Sequence, residues 1–366
     1  MEKLYMKHLI VYNKKNLSKY IRIRAGETKL GECVLTVLSK DIKTDLKASK
    51  AKFVLIGLPE DIGVRANYGR GGAHTAWEPA LTNLLNVQSN SFLKGDELLV
   101  LGHVDFEDLL KRAQKLDANS DAGIQQLRNL CADVDNRVTP VIQLIVEAGK
   151  IPLIVGGGHN NAYGNIKGAA MALASRGKIK NNSINCINCD AHSDFRTLEG
   201  RHSGNGFSYA FEENYLDKYA IVGLHENYNS GTVLKELKKH SQKIQYSLLE
   251  DIFIRESISF KQVVSKALSF VNSNYYGVEL DMDAIENIPS SAKTSSGISA
   301  NEARKFVTEA AQHKKVAYLH ITEAAPVLSH IKTDNKTGKL IAYLLTDFMK
   351  SYLKINKLKS TDQWLN

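Results

Sequence analysis

The chain has 366 residues, 43% hydrophobic and 24% charged, which is ample for one buried core and ordinary for a globular protein. No apolar run approaches the roughly 18–20 residues that cross a bilayer, and the first residues lack a stretch apolar enough for a secretory signal, so the sequence reads as cytoplasmic with no membrane partner. The formal net charge of +9 comes from lysines spread along the chain, without an aromatic-interleaved basic stripe, so a solvated surface is expected and no nucleic-acid partner.

In chain order, residues 1–50 are mixed and Lys-rich and predict an N-terminal extension packed on the core. Residues 51–366, undivided by any Pro/Gly/Ser linker, predict a single α/β domain. The first strong strand is 53–58, and others are expected at 97–101, 151–155, 183–189, 219–222, 276–280 and 316–321. Several are near-continuous apolar runs, the pattern of parallel strands covered on both faces. Helical stretches lie between them at 121–147, 160–175, 260–272, 300–313 and 339–354. This alternation predicts a three-layer α/β/α sandwich around a mainly parallel, doubly wound sheet. Ligands of such sheets bind at the carboxyl ends of strands. Cys186 and Cys189 form a CxxC, but residues three apart in a strand face opposite sides, so the thiols do not converge on a redox or zinc site.

Four of the predicted strand ends carry chemistry. The strand ending at Val155 runs into GGGHNN (156–161), where three glycines permit a sharp turn before His159 and a helix start. A Gly-rich turn there also suits phosphate, although the spacing matches neither GxGxxG nor the P-loop. The next motif is DAHSD (190–194): two carboxylates and an imidazole at a strand end suit a metal, or a turn in which an Asp caps a helix. In Glu279-Leu280-Asp281-Met282-Asp283 the last two carboxylates share one face and repel unless a cation or shared proton intervenes. The fourth strand ends at Glu323, unremarkable alone. Together these motifs offer His and carboxylate without thiolate, which favours a hard cation such as manganese. Six ligands exceed what one tetrahedral ion needs, so two ions are natural, and two ions can make hydroxide from a bridging water at neutral pH.

GGGHNN, DAHSD, ELDMDAI and the Glu of HITEAAP, spread over roughly residues 52–330, resemble the signature elements of the ureohydrolases: arginase, agmatinase, formimidoylglutamase and relatives. The resemblance implies an arginase-like fold and two Mn2+ per subunit. One ion would be held by His159, Asp190, Asp194 and Asp281, the other by His192, Asp190, Asp281 and Asp283, with Asp190 and Asp281 bridging. It implies that a metal-bridging hydroxide attacks the central carbon of an amidine or guanidine, whose cationic end Glu323 binds through a charge-assisted contact. The segment GVRANYGRGGA (63–73) resembles the formimidoylglutamase branch, in which Arg65, Asn67 and Arg70 would bind the carboxylates of a glutamate-like substrate. Those arginines equally suit a loop anchor or a subunit contact. In RHSGNGF (201–207), His202 is the candidate proton shuttle, with Ser203 the alternative occupant of that position, and Asn205 and Asn229 are further substrate candidates, with Asn227 and Tyr228 nearby.

The sequence departs from the family at residues 289–299, at Glu279 and at the two asparagines after His159, while the N-terminal extension and an insertion around 103–125 are placed to reshape access. The leading expectation is hydrolysis of formimidoylglutamate to glutamate and formamide, a step of histidine degradation, by a homo-oligomer. The alternatives are a guanidino hydrolase releasing urea and a metal-binding relative without turnover. An Arg-rich loop suits a di-anionic substrate and repels a cationic one.

Overall fold

The computed structural model describes residues 6–329 and 335–361. Its centre is a nine-stranded sheet in the order β1-β3-β2-β4-β9-β8-β5-β6-β7. The strands are β1 (Leu9–Val11), β2 (Phe53–Gly57), β3 (Leu98–Val104), β4 (Ile151–Val155), β5 (Ile184–Cys189), β6 (Leu216–Leu224), β7 (Ile244–Leu248), β8 (Tyr276–Asp281) and β9 (Val316–Thr322). All neighbouring pairs run parallel except β1 with β3.

Side-chain alternation builds the layers. On β2, Phe53 and Leu55 join one apolar cluster while Val54 and Ile56 join the other. The first cluster packs helices α1 (Trp77–Leu85), α4 (Phe260–Val271), α5 (Ala300–Ala310) and α6 (Lys336–Thr361) on one face of the sheet. The second packs α2 (Asp121–Glu147) and α3 (Asn161–Ser175) on the other. Both faces are covered, as a parallel sheet of near-continuous apolar strands requires, and the expected three-layer α/β/α sandwich is what forms. Helix starts are fixed locally: Ser120 accepts the Gly123 amide at 3.1 Å, and Ser259–Gln262 and Ser299–Glu302 form capping boxes. Cys186 lies in one cluster and Cys189 in the other, both as buried thiols, so their side chains diverge across the sheet.

Two strands escaped the sequence pattern, and both are edges. β1 has three residues, and β7 alternates around a half-exposed Ile244-Gln245-Tyr246-Ser247-Leu248, too short or too polar for an apolar run to betray it. Residues 9–12 tie the N-terminal part to the sheet: Leu9 pairs with Val104, and the Tyr12 hydroxyl lies 2.9 Å from His103 Nδ1.

The sheet order matters most for function. The four strands whose ends carry the motifs, β4, β9, β8 and β5, are adjacent in the sheet although β6 and β7 separate β5 from β8 in sequence. Their carboxyl ends therefore stand side by side in the middle of the molecule.

Candidate metal centre

The turn after β4 depends on its glycines. Gly156 and Gly157 have φ of +92° and +78°, a region that side chains disfavour. The Gly157 carbonyl accepts both the Glu323 amide at 3.0 Å and the Thr322 hydroxyl at 2.7 Å, which locks the ends of β4 and β9 together. The two asparagines after His159 reach back to the buried Glu60 carboxylate, Asn161 at 2.6 Å and Asn160 at 3.2 Å. Glu60 also accepts the amides of Gly158 and Ile62, so one buried carboxylate organises the turn that presents His159.

His159 is fully buried, and its Nδ1 faces three carboxylates: Asp190 at 3.2 Å, Asp194 at 2.9 Å and Asp281 at 3.1 Å. Potential ligand atoms of these four residues lie within 4.8 Å of one another. A second group, Asp190, His192 and Asp283, meets the same measure, with His192 Nδ1 3.3 Å from Asp283 and 3.7 Å from Asp190. Asp190 belongs to both groups, and Asp281 falls in the first. His192 stacks on Tyr228 with 5.4 Å between ring centroids, and Tyr228 stacks on His225 at 5.1 Å.

The electrostatics call for positive charge. Burial, then Asp283 and Asp190, push the Asp281 carboxyl well above its ordinary range. Burial and Asp190 raise Asp194 to about 6. Burial would lower the His159 pKa, yet its bonds to Asp190, Asp194 and Asp281 carry it well above the usual value. Buried like charges at this spacing are costly unless a cation sits among them, and the His and carboxylate donors suit a hard divalent ion. The Oδ1 of Asp283 is buried without a hydrogen-bond partner, one more free donor atom in the cluster. The residues fit a metal pair.

Glu323 closes the floor. It is 6% exposed, its carboxylate accepts the His159 amide at 2.8 Å, and burial raises it to about 8, with Asp283 and Asp194 adding to the rise against that amide bond. Both Glu323 and Asp194 hold left-handed backbones, φ +61° and +46°, a strain that non-glycine residues keep where the surroundings over-determine them. A cavity of about 410 Å³ opens above these groups, lined among others by His192, Asp194, Asp281, Asp283 and Glu323.

Comparison with known proteins agrees with this geometry. The arginase family model matches residues 51–350. The chain belongs to the arginase family. It is 26% identical over 299 residues to a formimidoylglutamase of Streptococcus pyogenes serotype M3, covering 79% of this chain and 81% of that one. In fold it is similar to a formimidoylglutamase from Bacillus subtilis, with a TM-score of 0.69 and 20% identity over 90% of this chain and 93% of that one. A Trypanosoma cruzi formiminoglutamase solved with Mn2+ is also similar, with a TM-score of 0.66 and 18% identity over 89% and 98% of the two chains. These relatives bear out the resemblance to the formimidoylglutamase branch, and the arginase-family chain is a metal-dependent hydrolase.

Not every residue expected near the substrate reaches the cavity. Arg65 sits on a one-turn helix, Ile62–Ala66, rather than a loop, and its guanidinium donates to the Ala113 carbonyl at 2.8 Å, pinning the insertion around 103–125. Arg70 bonds Ser291 through its backbone and its guanidinium, propping the altered 289–299 segment whose Ser291 and Ala292 do line the cavity. Asn205 is buried and spent on Arg201, His202 and the carbonyls of Thr197 and Gly200. His202 is buried too: its Nδ1 accepts the Gly204 amide, its Nε2 faces Glu199, and Ser203, not His202, lines the cavity. Burial and Arg196 lower the His202 pKa to about 4. Asn67 and Asn229 do line the cavity, although the Asn229 amide is engaged by Ser193 and by the carbonyls of Ala191 and His225.

Of the cavity residues that sequence reasoning did not single out, one carries a charge. Arg196 lines the rim, its guanidinium 2.7 Å from Asn67 Oδ1 and 3.0 Å from Glu199 Oε1. Its position two residues after DAHSD was the available signal. Among the described residues, none from 1–50 or 103–125 lines the cavity.

Proposed function

We propose that the chain hydrolyses formimidoylglutamate to glutamate and formamide, with two Mn2+ held by His159, Asp190, Asp194 and Asp281 and by His192, Asp190, Asp281 and Asp283. Such an ion pair supplies a strongly polarised water nucleophile at neutral pH. The observation that carries the reading is the pairing of a buried carboxylate, Glu323, with a rim guanidinium, Arg196, in one cavity above two ligand groups that share Asp190. Glu323 takes the cationic amidinium end, where a charge-assisted bond in a poorly hydrated floor is strong. Arg196 takes a substrate carboxylate, the part first assigned to Arg65 and Arg70, and Asn67 holds the guanidinium in place. Ser203, which lines the cavity and whose hydroxyl accepts from the Asn67 amide at 3.3 Å, takes the proton-shuttle position. In the overall reaction water oxygen joins the amidine carbon, the bond from that carbon to the glutamate nitrogen breaks, and that nitrogen leaves with a proton.

We also propose that the enzyme works in the cytoplasm as a homo-oligomer in histidine breakdown, with residues 1–50 an extension of a 51–366 catalytic domain. Among the described residues no helix is long and apolar enough to cross a membrane. Product analysis of the manganese-loaded protein tests the substrate. Formamide from formimidoylglutamate, without urea from arginine, agmatine or guanidinobutyrate, is expected. Urea from any guanidino compound in preference would overturn the substrate assignment.

A further inference from the structure

Behind His159, away from the cavity, lies a buried polar network that the reaction does not use. Glu279 is fully buried; its Oε1 accepts the Tyr318 hydroxyl at 2.8 Å, and its Oε2 lies 2.6 Å from His320 Nδ1. His320 Nε2 in turn lies 3.1 Å from the Gly156 carbonyl, at the start of the turn that carries His159. The sheet register builds this cluster: Glu279 pairs with His320 and Gly277 with Tyr318 across β8 and β9. A Cβ at Gly277 would lie 2.3 Å from the Tyr318 ring, so only glycine leaves room for that ring.

The network ends at His159. Its Nδ1 faces the three carboxylates, and a neutral imidazole offers Nδ1 as a ligand only when its proton sits on Nε2. That Nε2 is buried with no hydrogen-bond partner, and the ring is walled by Phe207 and His320 at centroid distances of 5.1 and 6.2 Å. The carboxylate it faces is Glu279, with Oε2 at 3.6 Å, a few tenths of an ångström beyond a hydrogen bond. A buried N–H without an acceptor is costly, and a ligating imidazole is ordinarily fixed by a carboxylate or carbonyl on its far nitrogen.

We propose that Glu279, braced by Tyr318 and His320, is a positioning residue that keeps the His159 proton on Nε2 and turns Nδ1 toward the metal-binding carboxylates. This rests on the metal reading above, and it concerns only the ligand group that contains His159. The second group shares Asp190 with the first, but the bonds of Asp190, His192 and Asp283 run to none of Glu279, Tyr318 and His320. That asymmetry provides the test.

Manganese uptake by the metal-stripped full chain is titrated by the loss of the free-ion electron paramagnetic resonance signal, beside the melting temperature of the metal-free protein. Wild type is expected to take up two ions, and His159→Ala marks the step that belongs to the His159 group. Glu279→Met, similar in volume but without an oxygen acceptor, is expected to weaken that step by about 10–100-fold and leave the other step alone. Glu279→Gln keeps an acceptor oxygen and is expected to restore it. Tyr318→Phe removes one brace without touching Glu279; it is expected to weaken the same step less, at an unchanged metal-free melting temperature, and it decides the matter if Glu279→Met does not fold. Unchanged uptake in Glu279→Met or Tyr318→Phe overturns the proposal. So does equal weakening of both steps alongside a lowered melting temperature, which is the mark of a merely structural role. A wild-type chain that takes up no manganese would instead sink the metal reading itself.

Discussion

Replacing Glu323 by Gln isolates one charge in the site. The side chain is 6% exposed, and its Oε1 accepts the His159 amide at 2.8 Å. The amide of Gln keeps that acceptor, so the β4 turn and the ligand groups hold their places. Burial holds the carboxyl at about 8, so its charge appears only when a cation such as the substrate amidinium sits against it, and that charge is what Gln removes. Removing one partner of a buried ion pair costs about 3–5 kcal/mol. At about 1.4 kcal/mol per tenfold in rate, kcat/KM should fall roughly 10²–10⁴-fold. The assay is steady-state formamide release by the manganese-loaded variant, with metal content measured on the same sample. Turnover within about threefold of wild type, well under 1 kcal/mol, would refute the role given to Glu323. Loss of manganese together with activity would refute it differently, by making Glu323 a metal ligand.

Arg196→Met should raise KM for formimidoylglutamate by about tenfold or more, the loss of one charge-assisted bond, with little change in kcat; an unchanged KM would take Arg196 out of substrate binding. His202 should titrate near 4 by NMR, and His202→Gln should leave the pH–rate profile between about 5 and 9 intact. Because its folded pKa lies below the ordinary imidazole value of about 6.5, its stabilising contribution is complete above that pH and is lost as pH falls from there toward about 4. His202→Gln should therefore lose less stability than wild type across that window, and an identical acid limb in urea melts would contradict the assignment. Asp135 and Arg201 form a buried pair, with Nε to Oδ2 at 2.8 Å and the guanidinium 4.7 and 4.8 Å from the Tyr163 and Tyr209 rings. Asp135→Asn should destabilise by about 3–5 kcal/mol, and Asp135→Leu combined with Arg201→Met by much less; equal costs would show that the charges are not coupled.

The carboxyl-end motifs were legible because each lies at the end of an apolar run. Val155, Cys189, Leu280 and Ile321 mark the strands, and the ligand types follow within a few residues. Composition does not give the order β4, β9, β8, β5, in which β9 lies between β4 and β8 although β5 to β8 separate it from β4 in sequence. Residues that act through their direction were the hard part. Arg65 and Arg70 stand in the right segment, yet a single helical turn sends one to Ala113, and the other is drawn to Ser291. His202 and Ser203 are neighbours in sequence, and only the local backbone decides which faces the cavity. Glu279 was visible as a departure from the family, but its purpose depends on the β8–β9 register that sets it beside His320.

The most direct test of the central claim is the metal content of the purified chain after manganese loading and removal of loosely held ions, measured by plasma mass spectrometry against protein concentration. The account predicts two manganese ions per chain, falling sharply when Asp190, shared by both ligand groups, is replaced by Asn. A wild-type chain that retains no manganese, or an Asp190→Asn variant that still retains two ions, would contradict it.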